Sequence, residues 1–247
     1  MRRIGHKGAD AIAPGNTIPS YEAAVELGVD VIELDIVRPA SDFADGGDWR
    51  RAEAGPAPGE PLLNAHDWGD ARRRDPMTME EALDAFTLPP LDEVHVDLDL
   101  KLAGREDEVV AALRERGLIE RAMTSTMEVE SVTLLRELAP ELHTGWTYPR
   151  TTRDWMGSWW GRAAAGSALP MIRRRLPRLA AEMIPRLDVQ AMWVFHALAS
   201  ARLVEAAHDA GAELIVWTVD DLERMRKLAR LGVDGICTND PRLFSRL

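Results

Sequence analysis

The residues best suited to chemistry sit at the ends of short apolar runs. Glu33 and Asp35 lie two apart in Val29–Ile36 (VDVIELDI), a run of β-branched and apolar residues without Gly or Pro. Side chains alternate across a strand, so both carboxylates share one face, opposite Ile32, Leu34 and Ile36. Adjacent carboxylates repel unless a cation sits between them, and hard oxygen donors suit a divalent ion. The same pattern also fits a solvated edge strand with two surface acids. Three further runs share the construction. Arg2–His6 ends on His6, Leu62–Asp67 carries His66, and Val94–Lys101 places Asp97, Asp99 and Lys101 on one face. Imidazole titrates near neutral pH, which makes His6 and His66 candidates for proton transfer.

The elements that must position these groups alternate along the chain. Strands are expected at 2–6, 29–36, 61–66, 94–101, 121–126, 143–148, 189–194, 214–219 and 234–237. Helices are expected at 17–27, 77–86, 106–116, 129–138, 199–210 and 221–231, with a final partial helix from Pro241. Several end at glycine (Gly28, Gly117, Gly211, Gly232), the residue that best closes a helix. Asn16 or Thr17 would cap the first helix and Thr78 would start the second. Strand–helix alternation predicts a mostly parallel sheet covered by helices. Nine strands are one more than a (β/α)8 barrel needs, and 61–66 follows its predecessor without a helix, so any barrel is irregular there. In a parallel barrel the C-terminal strand ends build the active site. Residues 39–59 and the charged run 70–75 read as loops, and 150–186 gives no clear pattern.

The chain has 247 residues, the size of one ordinary α/β barrel, and is read as a single domain, 1–247. A formal charge of −11 argues against nucleic-acid partners, since phosphate backbones would be repelled. A small phosphate substrate remains compatible with it. One cysteine, Cys237, points to a reducing compartment, and no apolar run resembles a signal peptide or a membrane span. The expectation is a soluble cytoplasmic protein.

The runs, read in order, resemble the glycerophosphodiester phosphodiesterase family. The pieces that carry the resemblance are His6-Lys7-Gly8, Gly15-Asn16-Thr17, Glu33-Leu34-Asp35, His66-Asp67, Asp99-Leu100-Lys101, Trp217-Thr218-Val219-Asp220 and Gly232-Val233-Asp234-Gly235-Ile236. They span nearly the whole chain, and their order carries more weight than any single piece. The resemblance implies an irregular TIM barrel that hydrolyses glycerophosphodiesters to glycerol 3-phosphate and an alcohol, using one divalent cation.

Under that resemblance Glu33, Asp35 and Asp99 would bind Mg²⁺ or Ca²⁺. His6 and His66 would be general acid and base, in an order the sequence does not reveal. The nucleophile would be the substrate's own glycerol hydroxyl, giving a cyclic phosphate first. Lys101 and Lys7 would supply positive charge to the phosphate, and Trp217 would pack on the glycerol or in the barrel core. Asp97 is expected to form a core hydrogen bond and Asp67 to support its neighbour. His95, His143, His196 and His208 match no motif and are expected to be structural or on the surface. Three positions depart from the family pattern. Lys7 replaces an arginine and loses the bidentate fork. Asp99 replaces a glutamate, and Gly15 replaces the glutamate of the first loop. The sphingomyelinase D branch also lacks that loop acid, so its loss is compatible with activity. Two alternatives follow: a lipid phosphodiesterase of the lysophospholipase D or sphingomyelinase D kind, or a degenerate member that binds a diester without cleaving it. The Trp155–Trp160 cluster could touch a membrane surface, but packing on its own barrel as a helical hairpin is the commoner fate of such a segment. The sequence does not speak to the oligomeric state.

Overall fold

The computed structural model describes residues 1–39, 60–101, 103–150 and 159–247. Residues 40–59 of the expected 39–59 loop lie outside them, as do Trp155 and the side chains of Trp159 and Trp160. The strands are β1 (Arg2–His6), β2 (Val31–Val37), β3 (Leu63–Asn64), β4 (His95–Leu100), β5 (Ala122–Thr126), β6 (His143–Tyr148), β7 (Ala191–Phe195), β8 (Glu213–Trp217) and β9 (Gly235–Thr238). Helices α1 (Ile18–Glu26), α2 (Trp68–Arg73), α3 (Met79–Ala85), α4 (Glu106–Glu115), α5 (Val129–Leu138), α6 (Trp159–Leu187), α7 (Ala201–Asp209) and α8 (Leu222–Leu231) lie between them.

Eight strands run parallel in the order β1-β2-β4-β5-β6-β7-β8-β9, and β9 returns to β1, closing a TIM barrel. The ninth strand is the irregularity that the count predicted. β3 has two residues and pairs antiparallel with the end of β2, Ile36 opposite Asn64 and Val37 opposite Leu63. It is much shorter than the 61–66 expected, and His66 falls beyond it.

Alternation sorts the strand residues into two environments. Ile32, Leu34 and Ile36 of β2 and Val96, Leu98 and Leu100 of β4 point outward and pack under the helices. Ile4, Val31, Met123, Trp193, Ile215 and Cys237 point inward and fill the lower barrel. Trp193 needs room that only glycine leaves: a Cβ on Gly145 would lie 2.6 Å from its ring. Strands enclosed on both faces explain why β2 is buried throughout.

Helix ends follow local chemistry. Thr78 and Glu81 form a reciprocal capping box on α3, and Gly232 closes α8 at φ +89°. Two expectations are corrected. The run 70–75 is helical as far as Arg73, because Asp67 caps α2 by accepting the Asp70 N–H at 2.8 Å. The segment after 150 contributes one helix over 159–187 rather than a hairpin, despite Pro170, Pro177 and Pro185 inside it. Its Leu176, Ala180 and Ile184, one turn apart, bury against the barrel flank with Leu198 and Leu203. Among the described residues no helix is long and apolar enough to cross a membrane.

Candidate active site

The carboxylates meet where β2 and β4 run side by side. Their register places Glu33 beside Asp97 and Asp35 beside Asp99, all facing into the barrel. Glu33 is 3% exposed and Asp35 0% exposed, which excludes the edge-strand reading. One oxygen each from Glu33, Asp35 and Asp99 lies within 4.8 Å of the others. Lys101 reaches back over them, pairing with Asp35 Oδ1 at 2.5 Å and with Asp99 Oδ2.

Three carboxylates against one ammonium leave the cluster short of positive charge. Burial, then the neighbouring Asp35, pushes the Glu33 carboxyl well above its ordinary range. Burial and Asp35 raise Asp99 as well, against the pull of Lys101. Burial alone would raise Asp35, but Lys101 and the two histidines hold it below the usual carboxylate value. Burial would lower the Lys101 ammonium, but Asp35, Asp99 and Glu33 together raise it well above normal. Hard oxygen donors, convergence and a charge deficit are the features a divalent cation would satisfy, so the residues present fit one.

Asp97 is not part of this group. It sits level with Glu33, one rung below Asp99, where its Oδ2 accepts from Ser125 Oγ at 2.8 Å, the core hydrogen bond expected of it. Burial raises its carboxyl to about 8.

His6 ends β1 beside Glu33. Its Nδ1 lies 2.7 Å from Asn239 Oδ1. The amide orientation is fixed from behind, because Asn239 Nδ2 donates to Asp220 Oδ2 at 2.7 Å and a carboxylate can only accept. Oδ1 of Asn239 is therefore the acceptor and His6 Nδ1 carries the proton. Nε2 keeps its lone pair. Burial pulls the His6 imidazole down to about 4, so it is neutral at neutral pH.

Asn16 was expected as a helix cap and has another role. Its Nδ2 donates to Asp35 Oδ2 at 2.8 Å, and its Oδ1 accepts the Asp35 N–H at 3.2 Å. Both Asn16 and Lys7 are left-handed, at φ +58° and +54°, a strain that clusters where side chains must be aimed. The Lys7 N–H donates to Glu33 Oε2 at 2.9 Å and its ammonium pairs with Asp10 at 2.7 Å.

His66 approaches differently. Asn64 of β3 donates to Tyr21 Oη at 2.6 Å and ties the excursion to α1. His66 then stands 52% exposed, its Nδ1 3.2 Å from Asp67 Oδ2. Its charge is still felt by Asp35 and Asp99. Trp217 packs on the inner cluster and tilts against Phe195 at 5.9 Å; its Nε1 is buried and finds no partner among the described residues. The four other histidines stand apart: His208 binds Asp234, His196 accepts from Arg224, His143 lies near Glu213, and His95 starts β4.

The model of the glycerophosphoryl diester phosphodiesterase family matches residues 6–39 and 74–243. The chain belongs to that family. It is thereby a phosphoric diester hydrolase by kinship, and the residues matched include His6, Glu33, Asp35, Asp99, Lys101 and Asn239 but not His66 or its neighbour Asp67. A glycerophosphodiester phosphodiesterase of Caldanaerobacter subterraneus subsp. tengcongensis is 26% identical over 99% of this chain and 96% of its own. Among solved structures, a glycerophosphodiester phosphodiesterase from Agrobacterium tumefaciens covers all of both chains at TM-score 0.66 and 21% identity. An Oleispira antarctica phosphodiesterase, solved with the product sn-glycerol-3-phosphate, covers 100% of this chain and 96% of its own at TM-score 0.63 and 18% identity. Likeness at these identities speaks for the fold.

Proposed function

We propose that the chain, working as one domain, hydrolyses glycerophosphodiesters to glycerol 3-phosphate and an alcohol. The observation that carries this reading is the convergence of Glu33, Asp35 and Asp99 on one point beside a neutral, tautomer-fixed His6. Glu33, Asp35 and Asp99 would hold one divalent cation, Mg²⁺ or Ca²⁺, which when bound supplies Lewis-acid polarisation of the phosphoryl oxygens. The remaining roles fall to the chain itself. His6 Nε2 accepts the proton of the glycerol hydroxyl as that oxygen attacks phosphorus. His66, its Nδ1 oriented by Asp67 and its ring open to the site, gives a proton to the leaving alcohol. Water then opens the cyclic phosphate with the proton traffic reversed. Lys101 and Lys7 place positive charge against the phosphate. Trp217 Nε1, without a partner among the described residues, offers a donor at the end of β8.

The test is release of glycerol 3-phosphate from glycerophosphocholine and glycerophosphoethanolamine, with Mg²⁺, Ca²⁺ or EDTA. Cation-dependent release that disappears in His6→Ala supports the reading. Cation binding without release of glycerol 3-phosphate from either diester would overturn it.

A further inference from the structure

The loop between His6 and α1 has glycine at the position where the family pattern carries an acid, yet an acid stands in that space. A Cβ on Gly15 would lie 2.6 Å from Asp10 Oδ1, 2.9 Å from Asp10 Cγ and 2.8 Å from Lys7 Cβ. A side chain at 15 would have to displace the Asp10 carboxylate and shift the Lys7 stem. The Asp10 carboxylate is held at both oxygens: Oδ1 accepts the Gly15 N–H at 2.7 Å and Oδ2 pairs with Lys7 Nζ at 2.7 Å. Lys7 is only 18% exposed, its N–H is already committed to Glu33, and its backbone is left-handed. A lysine stem is flexible and its ammonium has no preferred direction, so an aimed lysine needs an anchor. On its far side the loop is fastened by Arg74, whose Nη1 donates to Gly15 O at 2.6 Å. Arg74 caps the helix that follows His66. Asp10 therefore sits where the segments bearing His6 and His66 are joined.

We propose that Asp10 is a positioning residue that takes the place of the acid absent at position 15 and holds the Lys7 ammonium toward the phosphate. The proposal rests on the diesterase reading for the identity of the anion. Asp10 touches neither the reacting atoms nor the carboxylate cluster; it acts through Lys7 and through the closure of its own loop. Position 15 and position 10 are thus coupled: the glycine is the condition for the aspartate.

The test compares the native chain with Asp10→Asn, Lys7→Met, their double variant, Gly15→Glu and Asp10→Ala/Gly15→Glu. Glycerophosphocholine hydrolysis with Mg²⁺ is read as KM and kcat, alongside melting temperature. Acetic anhydride labelling is read by mass spectrometry, where Lys7, Lys101 and Lys227 are the only lysines. Asp10→Asn should raise KM about tenfold with kcat little changed, as Lys7→Met does, and the double variant should be no worse than either alone. Lys7 should label several-fold faster in Asp10→Asn while Lys227 labels as before. Gly15→Glu should lower both melting temperature and kcat/KM in the native chain, and should recover part of each in the Asp10→Ala background. Additive losses in the double variant, unchanged labelling of Lys7, or a gain of activity in Gly15→Glu with Asp10 intact would overturn the proposal. If the native chain turns over no diester, the diesterase reading fails, and the labelling and melting comparisons still decide whether Asp10 holds Lys7.

Discussion

The two sides of the barrel mouth bring a histidine to the site by opposite means. On one side β1 ends on His6, locked between the carboxylate strands and Asn239. On the other a two-residue strand and a six-residue helix carry His66 in from outside the barrel wall. His6 is enclosed and faces a neutral amide, which favours the free base. His66 is exposed, and its Nδ1 lies 3.2 Å from Asp67 Oδ2. The same side chain is thereby given two surroundings, one closed and fixed by an amide, the other open and beside a carboxylate.

The comparison makes unequal demands on the two sides. The largest loss should come from the strand wall itself: Asp35→Asn removes a ligand and the partner of both Asn16 and Lys101. Turnover should fall at least about 10⁴-fold and cation binding, followed by calorimetry, should weaken with it. EDTA should abolish turnover in the native chain, with recovery on adding Mg²⁺ or Ca²⁺. Next, His6→Ala should cost about 10³-fold with every substrate, whereas His66→Ala should be rescued by a leaving group that needs no proton. The check is a p-nitrophenyl diester beside glycerophosphocholine; equal losses on both substrates in His66→Ala would erase the distinction between base and acid.

A subtler variant moves His6 toward its counterpart. Asn239→Asp puts a carboxylate behind Nδ1, as Asp67 stands behind His66. It should raise the His6 imidazole, so the acidic limb of the kcat/KM profile should move to higher pH by about one unit. The smallest effect lies below the site. Asp97, raised to about 8, binds a proton in the folded cation-free chain that the unfolded chain releases near its ordinary value of 3.8. Stability should therefore be full at low pH and decline as pH rises from about 4 to about 8. Asp97→Asn in EDTA should flatten that decline, raising the melting temperature at pH 8 by about 2–4 °C.

Much of this was legible in the chain. β1, β6 and α5 have the bounds that alternation and apolar spacing predict, because neighbours in sequence decide them. The pairing of Glu33 with Asp35, and of Asp99 with Lys101, follows from period two along single strands. Contacts across the fold were not legible. Asn239 is 233 residues from His6, and nothing local marks Asn16 as a ligand of Asp35 rather than a cap. Nothing local marks Asp10 either, since its meaning depends on the absent side chain of Gly15, five positions on. The prolines hid α6, whose buried stripe shows only when packed against α7. The charged run hid α2, whose start is set by a single aspartate cap.

The link from His6 to Asn239 also has a consequence for synthesis. His6 leaves the ribosome 233 residues ahead of its partner. β1 has no β9 to close against until then, and the imidazole has nothing to fix its proton. Glu33, Asp35 and Asp99 are brought together by β2 and β4 alone, whereas His6 needs residues after β9 for its partner. A chain stopped before β9 would lack both the strand that closes against β1 and the amide that fixes the His6 proton.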